Sequence, residues 1–96
     1  MRLLEGKNVV ITGATRGIGK AIAKVFVEYG ANIAFTYRSS SEKAKSLEKE
    51  LSVSGSKVKG YQSDASDFVA AQKLAEIVIA DFGSVDVLVN NAGVTK

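Results

Sequence analysis

The chain has 96 residues, 46% of them hydrophobic and 24% charged, with 13 lysines and arginines against 10 acidic residues for a net charge of +3. That length allows one domain at most, with a thin margin of stability. Having neither cysteine nor histidine, the chain excludes a disulfide framework, a thiolate metal site and an imidazole base, and no metal ligands are assigned.

Residues 8–12 (Asn-Val-Val-Ile-Thr) form a short, β-branched apolar run, the pattern of a strand buried on both faces. Over residues 18–29 the period becomes helical. Ile18, Ala21, Ile22, Val25, Phe26 and Tyr29 fall on one face, and Lys20, Lys24 and Glu28 on the opposite one. Gly30 stands where a helix end calls for a left-handed residue. Residues 33–37 read as a second buried strand. Ser39 precedes Glu42 at capping-box spacing, and Ala44, Leu47 and Leu51 give the next helix a narrow apolar stripe. A turn over residues 52–56 contains Gly55, and residues 57–62 make a more polar strand suited to a sheet edge. Residues 67–82 predict a third helix with Phe68, Ala71, Ala75, Val78 and Phe82 on one face. Gly83 ends it, and residues 85–89 form a fourth strand.

This alternation implies a parallel sheet with helices on its faces. With right-handed crossovers the arrangement is α/β and doubly wound, a Rossmann-type three-layer α/β/α sandwich with strand order 3-2-1-4. Ligands of such sheets bind beyond the carboxyl ends of the strands, where the order reverses between the first and fourth. Four loops converge there: residues 12–19, Tyr37-Arg38, Asp64-Ala65 and residues 90–93.

The first of these loops is Thr12-Gly13-Ala14-Thr15-Arg16-Gly17-Ile18-Gly19. Its glycines permit a sharp turn, close approach of a phosphate to the backbone, and tight packing of the helix on the sheet. Free N–H groups at the helix start favour a pyrophosphate. A glycine-rich connection without a ligand is the plainer alternative, but the strand–turn–helix context and the converging loops favour a dinucleotide. No Gly-Lys-Ser/Thr follows, so a Walker-type phosphate loop is excluded. NAD sites of this kind place a carboxylate at the end of the second strand to accept the ribose 2′-OH. Here Tyr37, Arg38, Ser39 and Ser40 stand there, and no acid appears before Glu42. Arg38 and Arg16 suit a 2′-phosphate, so the expected cofactor is NADP(H). The alternative for Arg38 is a solvated surface arginine.

These residues resemble the short-chain dehydrogenase/reductase family. Thr12-Gly13-x-x-x-Gly17-x-Gly19 is similar to its coenzyme motif, and Asn90-Asn91-Ala92-Gly93 to its second signature after the fourth strand. The fuller strings are most similar to the 3-oxoacyl-[acyl-carrier-protein] reductases of fatty-acid biosynthesis. The resemblance implies that Gly13, Ala14, Thr15, Arg16, Gly17, Ile18 and Gly19 contact the pyrophosphate and adenosine side. Arg16 and Arg38 would meet the 2′-phosphate. Asp64 would bind the adenine amino group and Ala65 would line the ring, while Asn91, Ala92 and Gly93 would border the ribose and the middle of the cofactor. The alternative for Asp64 is a residue at the start of the third helix, and Asn90 is equally explained as a tie between strand ends. The family further implies an acyl-carrier-protein-linked substrate and a homo-oligomer, a tetramer in the family.

The family's chemistry needs a serine and a Tyr-x-x-x-Lys pair. Four residues after Tyr29, Tyr37 and Tyr61 stand Ile33, Ser41 and Ala65, so no catalytic residue is assigned. Residues 1–96 read as the N-terminal dinucleotide-binding half of a longer reductase domain. Residues 85–89 would otherwise expose an apolar strand edge, where a further strand is expected to pair. The alternatives are a non-catalytic binding or self-associating fragment, or a short-chain reductase acting on another carbonyl or alcohol. Residues 1–7 do not read as a signal peptide, no apolar run reaches membrane-spanning length, and no basic run suggests nucleic acid. A cytoplasmic location is expected.

Overall fold

The apolar runs and helical periods resolve, in a computed structural model, into one parallel sheet with helices on both faces. The structure describes residues 3–12, 17–38, 41–63 and 68–89. The elements are β1 (Asn8–Ile11), α1 (Gly17–Glu28), β2 (Asn32–Tyr37), α2 (Ser41–Ser52), β3 (Val58–Gln62), α3 (Phe68–Phe82) and β4 (Val87–Val89). The sheet order is β3-β2-β1-β4 with every pair parallel, as the alternation predicts.

Register decides which side chains share a face. Asn8 pairs with Asn32, Val9 with Val87 and Ile33 with Val58. Side chains alternate along each strand. Val9, Ile11, Ile33 and Phe35 therefore point to one face, where they pack with Ala23 and Val27 of α1 and with Ala44, Leu47 and Leu51 of α2. Val10, Ala34 and Tyr61 point to the other face and meet Val78 of α3. Phe35, Ile11, Ile33 and Val9 are fully buried.

The α2 stripe is as the sequence predicts. The α1 face is not. Gly19, Ala23 and Val27 are its buried residues, whereas Ile18, Val25 and Tyr29 are exposed. Small residues at i and i+4 let the helix axis lie close to the sheet, and the larger side chains turn about 100° away. Ile22 and Phe26 are shared between the two stripes and pack at the margin of the core. The α3 face is also corrected. Val78, with Leu74 and Phe82 beside it, meets the sheet, while Ala75 is exposed. The side chains of Phe68 and Ala71 lie outside the described residues.

Gly30 ends α1 at φ +93°. Its N–H donates to the Val27 carbonyl at 2.9 Å and the Ala31 N–H to the Phe26 carbonyl at 3.1 Å, the paired bonds of a Schellman end.

The amino ends of the strands are laced together by side chains. Asn8 Nδ2 donates to the Phe82 carbonyl at 3.1 Å and to Ser84 Oγ at 3.2 Å, and Asn8 Oδ1 accepts from Asn32 Nδ2 at 3.1 Å. Asn32 Oδ1 in turn accepts the Lys57 N–H at 3.0 Å. The Asp86 carboxylate accepts the Asn8 N–H at 2.8 Å, which satisfies a backbone donor that β4, starting at Val87 rather than Val85, leaves free. This end of the sheet is therefore committed to structure.

The two sheet edges differ. Along β3 the ladder to β2 runs through Lys57 and Ser63. The Gly60 N–H points the other way and donates to Glu48 Oε2 of α2 at 2.5 Å. Along β4, Leu88 is 65% exposed, since α3 covers Val10, Ala34 and Tyr61 and does not reach it.

Candidate functional site

Each helix follows a parallel strand, so the first turns of α1 and α2 stand at the carboxyl end of the sheet. The helix after β1 lies on one face and the helix before β4 on the other. A crevice therefore opens between the carboxyl ends of β1 and β4. Its base is closed by Thr12, whose N–H donates to the Val89 carbonyl at 3.0 Å.

Of the expected site residues, Gly17, Ile18, Gly19 and Arg38 are described. Gly13, Ala14, Thr15, Arg16, Asp64, Ala65, Asn91, Ala92 and Gly93, with Asn90, lie outside the described residues. Gly17 is the first residue of α1, at φ +64°, and a Cβ built on it would meet nothing within 4 Å. Its left-handed backbone faces open space, as close approach of a phosphate requires. Ile18 is 69% exposed on the same turn, and Gly19 is buried against the sheet. Arg38 follows β2 directly and is exposed.

Two contacts that the sequence reading missed hold Arg38 in place. Gln62 Nε2 of β3 donates to the Arg38 carbonyl at 3.1 Å, and the Ser63 N–H donates to the Tyr37 carbonyl at 2.9 Å. The backbone is thus pinned, while the guanidinium holds no ion pair or hydrogen bond among the described residues. This open, cation-bearing edge beside a glycine helix start fits a dinucleotide phosphate.

A second cluster contains a tyrosine and lysines, and its chemistry is different. Tyr61 OH donates to Asp81 Oδ2 at 2.7 Å, and Lys59 Nζ lies 3.0 Å from the same oxygen. Lys57 Nζ donates to the Asp81 carbonyl and sits over the Phe82 ring at 4.5 Å. Burial first, then the bond to Asp81, pushes the Tyr61 hydroxyl well above the ordinary phenol range. A proton held in this way is a poor general acid at neutral pH. The cluster ties the end of α3 to β3, on the side away from the crevice.

Asp81 titrates in the opposite sense. The Tyr61 hydroxyl, then Lys59, holds its carboxyl below the ordinary aspartate range. Glu50 is lowered similarly, first by its bond from Lys24. Their folded pKa values lie below the unfolded ones, so this stability is present above the unfolded pKa and is lost as pH falls through the folded values. Asp81→Asn should therefore flatten the acid limb of a urea-midpoint profile below the ordinary carboxylate range. An unchanged limb would mean that the Asp81 contacts do not contribute to stability.

Comparison with known proteins agrees with this geometry. The sequence pattern of the family described as short chain dehydrogenase matches residues 7–96. An NADP-dependent mannitol dehydrogenase of Alternaria alternata is 45% identical over 95 residues, 96% of this chain and 36% of that protein. A 3-oxoacyl-[acyl-carrier-protein] reductase of Staphylococcus aureus is 40% identical over 90 residues, 94% of this chain and 37% of its own length. Among solved structures, a short chain dehydrogenase from Burkholderia cenocepacia in complex with NADP superposes with a TM-score of 0.92 at 39% identity, covering 98% of this chain and 38% of that one. The chain thus spans little more than a third of the proteins it matches. Among the described residues no helix is long and apolar enough to cross a membrane, and no group of acidic residues could hold a metal ion. With a sheet order, a helix start and a sequence pattern that all coincide, the chain belongs to the short-chain dehydrogenase/reductase family.

Proposed function

We propose that this chain binds NADP(H) and forms the coenzyme-binding half of an NADPH-dependent reductase of 3-oxoacyl thioesters carried on acyl-carrier protein. The observation that carries the cofactor choice is Arg38. It stands exposed and backbone-anchored at the carboxyl end of β2, where an NAD site would place a carboxylate. Gly17 supports it by presenting open backbone at the start of α1. When bound, the nicotinamide supplies a hydride to a carbonyl carbon. The residues of this chain would hold the phosphates and the adenosine, with Arg16, Asp64, Ala65, Asn91, Ala92 and Gly93 completing the site. The serine, tyrosine and lysine of the reaction are assigned to sequence beyond these 96 residues, in a full-length protein that assembles as a homo-oligomer.

The thioester substrate rests on the similarity to the staphylococcal reductase. The mannitol dehydrogenase at 45% identity favours a second reading, in which the same coenzyme half serves a polyol or another carbonyl substrate. The test is a titration of the chain with NADPH and NADH, followed by NADPH oxidation in the full-length protein with a 3-oxoacyl thioester and with a ketose. Preference for NADPH is expected, with turnover of the thioester. Turnover of the ketose alone would overturn the substrate, and equal affinity for both cofactors would overturn the cofactor.

A further inference from the structure

The pairing of β2 with β3 runs out at their carboxyl ends. Tyr37 stands opposite Gln62 in the register, and the Ser63 N–H donates to the Tyr37 carbonyl at 2.9 Å. The next carbonyl, that of Arg38, lies past the end of β2. A side chain takes it instead, Gln62 Nε2 donating at 3.1 Å. To do so Gln62 reaches one residue beyond its register partner, about 3.3 Å along the strand, which takes the length of a glutamine.

This contact joins two parts of the nucleotide site. Arg38 is the cation on which the choice of cofactor rests, and it stands where strand pairing no longer sets the backbone. β3 runs on in sequence to Asp64 and Ala65, to which the reading above assigns the adenine. One exposed amide therefore ties the strand end that would meet the 2′-phosphate to the strand that would carry the ring.

We propose that Gln62 is a positioning residue for recognition of the 2′-phosphate. By holding the Arg38 carbonyl it sets the angle at which the guanidinium leaves the sheet, and so helps to select a 2′-phosphorylated dinucleotide over NAD(H). It acts through Arg38 alone and touches no part of the nucleotide. The proposal deepens the NADP(H) reading and rests on it. Both partners are open to water, which competes for the bond, so the expected effect is severalfold and smaller than that of removing Arg38 itself.

Two variants separate the donor from its reach: Gln62→Met keeps the length and loses the donor, and Gln62→Asn keeps the donor and shortens the side chain. The chain is titrated with 2′,5′-ADP and with 5′-AMP, with circular dichroism and a urea midpoint to check each fold. Both variants should bind 2′,5′-ADP roughly three- to fivefold more weakly, and 5′-AMP less than about 1.5-fold more weakly. In an Arg38→Ala background, Gln62→Met should change 2′,5′-ADP affinity by less than about 1.5-fold, since the group it positions is gone. A merely structural role would weaken both nucleotides alike and persist without Arg38. Either of those results, or no change at all, would overturn the proposal. If Arg38→Ala alone still removed the preference in that case, the NADP(H) reading would survive. A wild-type chain that bound both nucleotides equally, or neither, would overturn that reading and the role of Gln62 with it.

Discussion

Arg38→Asp is expected to weaken NADPH binding by roughly a hundredfold while leaving NADH binding unchanged or tighter. The substitution removes a guanidinium suited to a phosphate and sets a carboxylate against it, so lost attraction and new repulsion act together. About 2–3 kcal/mol is the scale for breaking a charged hydrogen-bonded contact of this kind. With NADH the same carboxylate can accept the ribose 2′-OH, the arrangement found at the end of the second strand in NAD sites. The backbone should hold its position throughout, because Gln62 and Ser63 grip the Arg38 and Tyr37 carbonyls and not the side chain. Direct titration of both cofactors is the measurement. Equal weakening of the two would show that Arg38 does not meet the 2′-phosphate.

Gly60→Ala is expected to lower the free energy of unfolding by about 2–3 kcal/mol. A Cβ at that position would stand 2.6 Å from Phe35 Cζ, 2.8 Å from Cε2 and 3.3 Å from Glu48 Oε2. The cost is steric. Phe35 is fully buried in the centre of the α1–α2 layer, so its ring has no free volume to enter and β3 must shift instead. That shift also disturbs the Gly60 N–H bond to Glu48. Phe35→Leu loses apolar burial on its own, yet it should make Gly60→Ala less costly, because the shorter side chain vacates the space the methyl needs. Urea midpoints of the two single variants and the double variant measure that coupling, and strict additivity would refute the account.

The sequence carries the topology of this chain plainly, and its packing less so. Four apolar runs with helices between them admit few right-handed arrangements, and the observed order is the doubly wound one. The α2 stripe is legible because Ala44, Leu47 and Leu51 stand among charged neighbours. On α1 the contacts fall to Gly19 and Ala23, whose small size is the reason they pack and also the reason hydrophobic weighting overlooks them. Gly17 and Arg38 could be read from strand–turn–helix grammar. Gln62 could not, since its role exists only once β3 lies beside the end of β2. The same holds for Asn8 and Asn32, which look like ordinary strand starts until the register sets them side by side.

The unequal edges of the sheet bear on how copies of this chain can meet. On the β3 side, Glu48 occupies the central outward donor and the exposed Lys59 adds charge there. On the β4 side the strand is short and apolar, and Leu88 is exposed among the described residues. A fibre grows because every link has two sticky sides, one for the molecule before it and one for the molecule after. A sheet with one sticky side can join a single neighbour and then stops. Where two such chains meet edge to edge through β4, two-fold symmetry closes the contact as a pair, and continued stacking would have to proceed through the β3 edge, whose central donor Glu48 already holds.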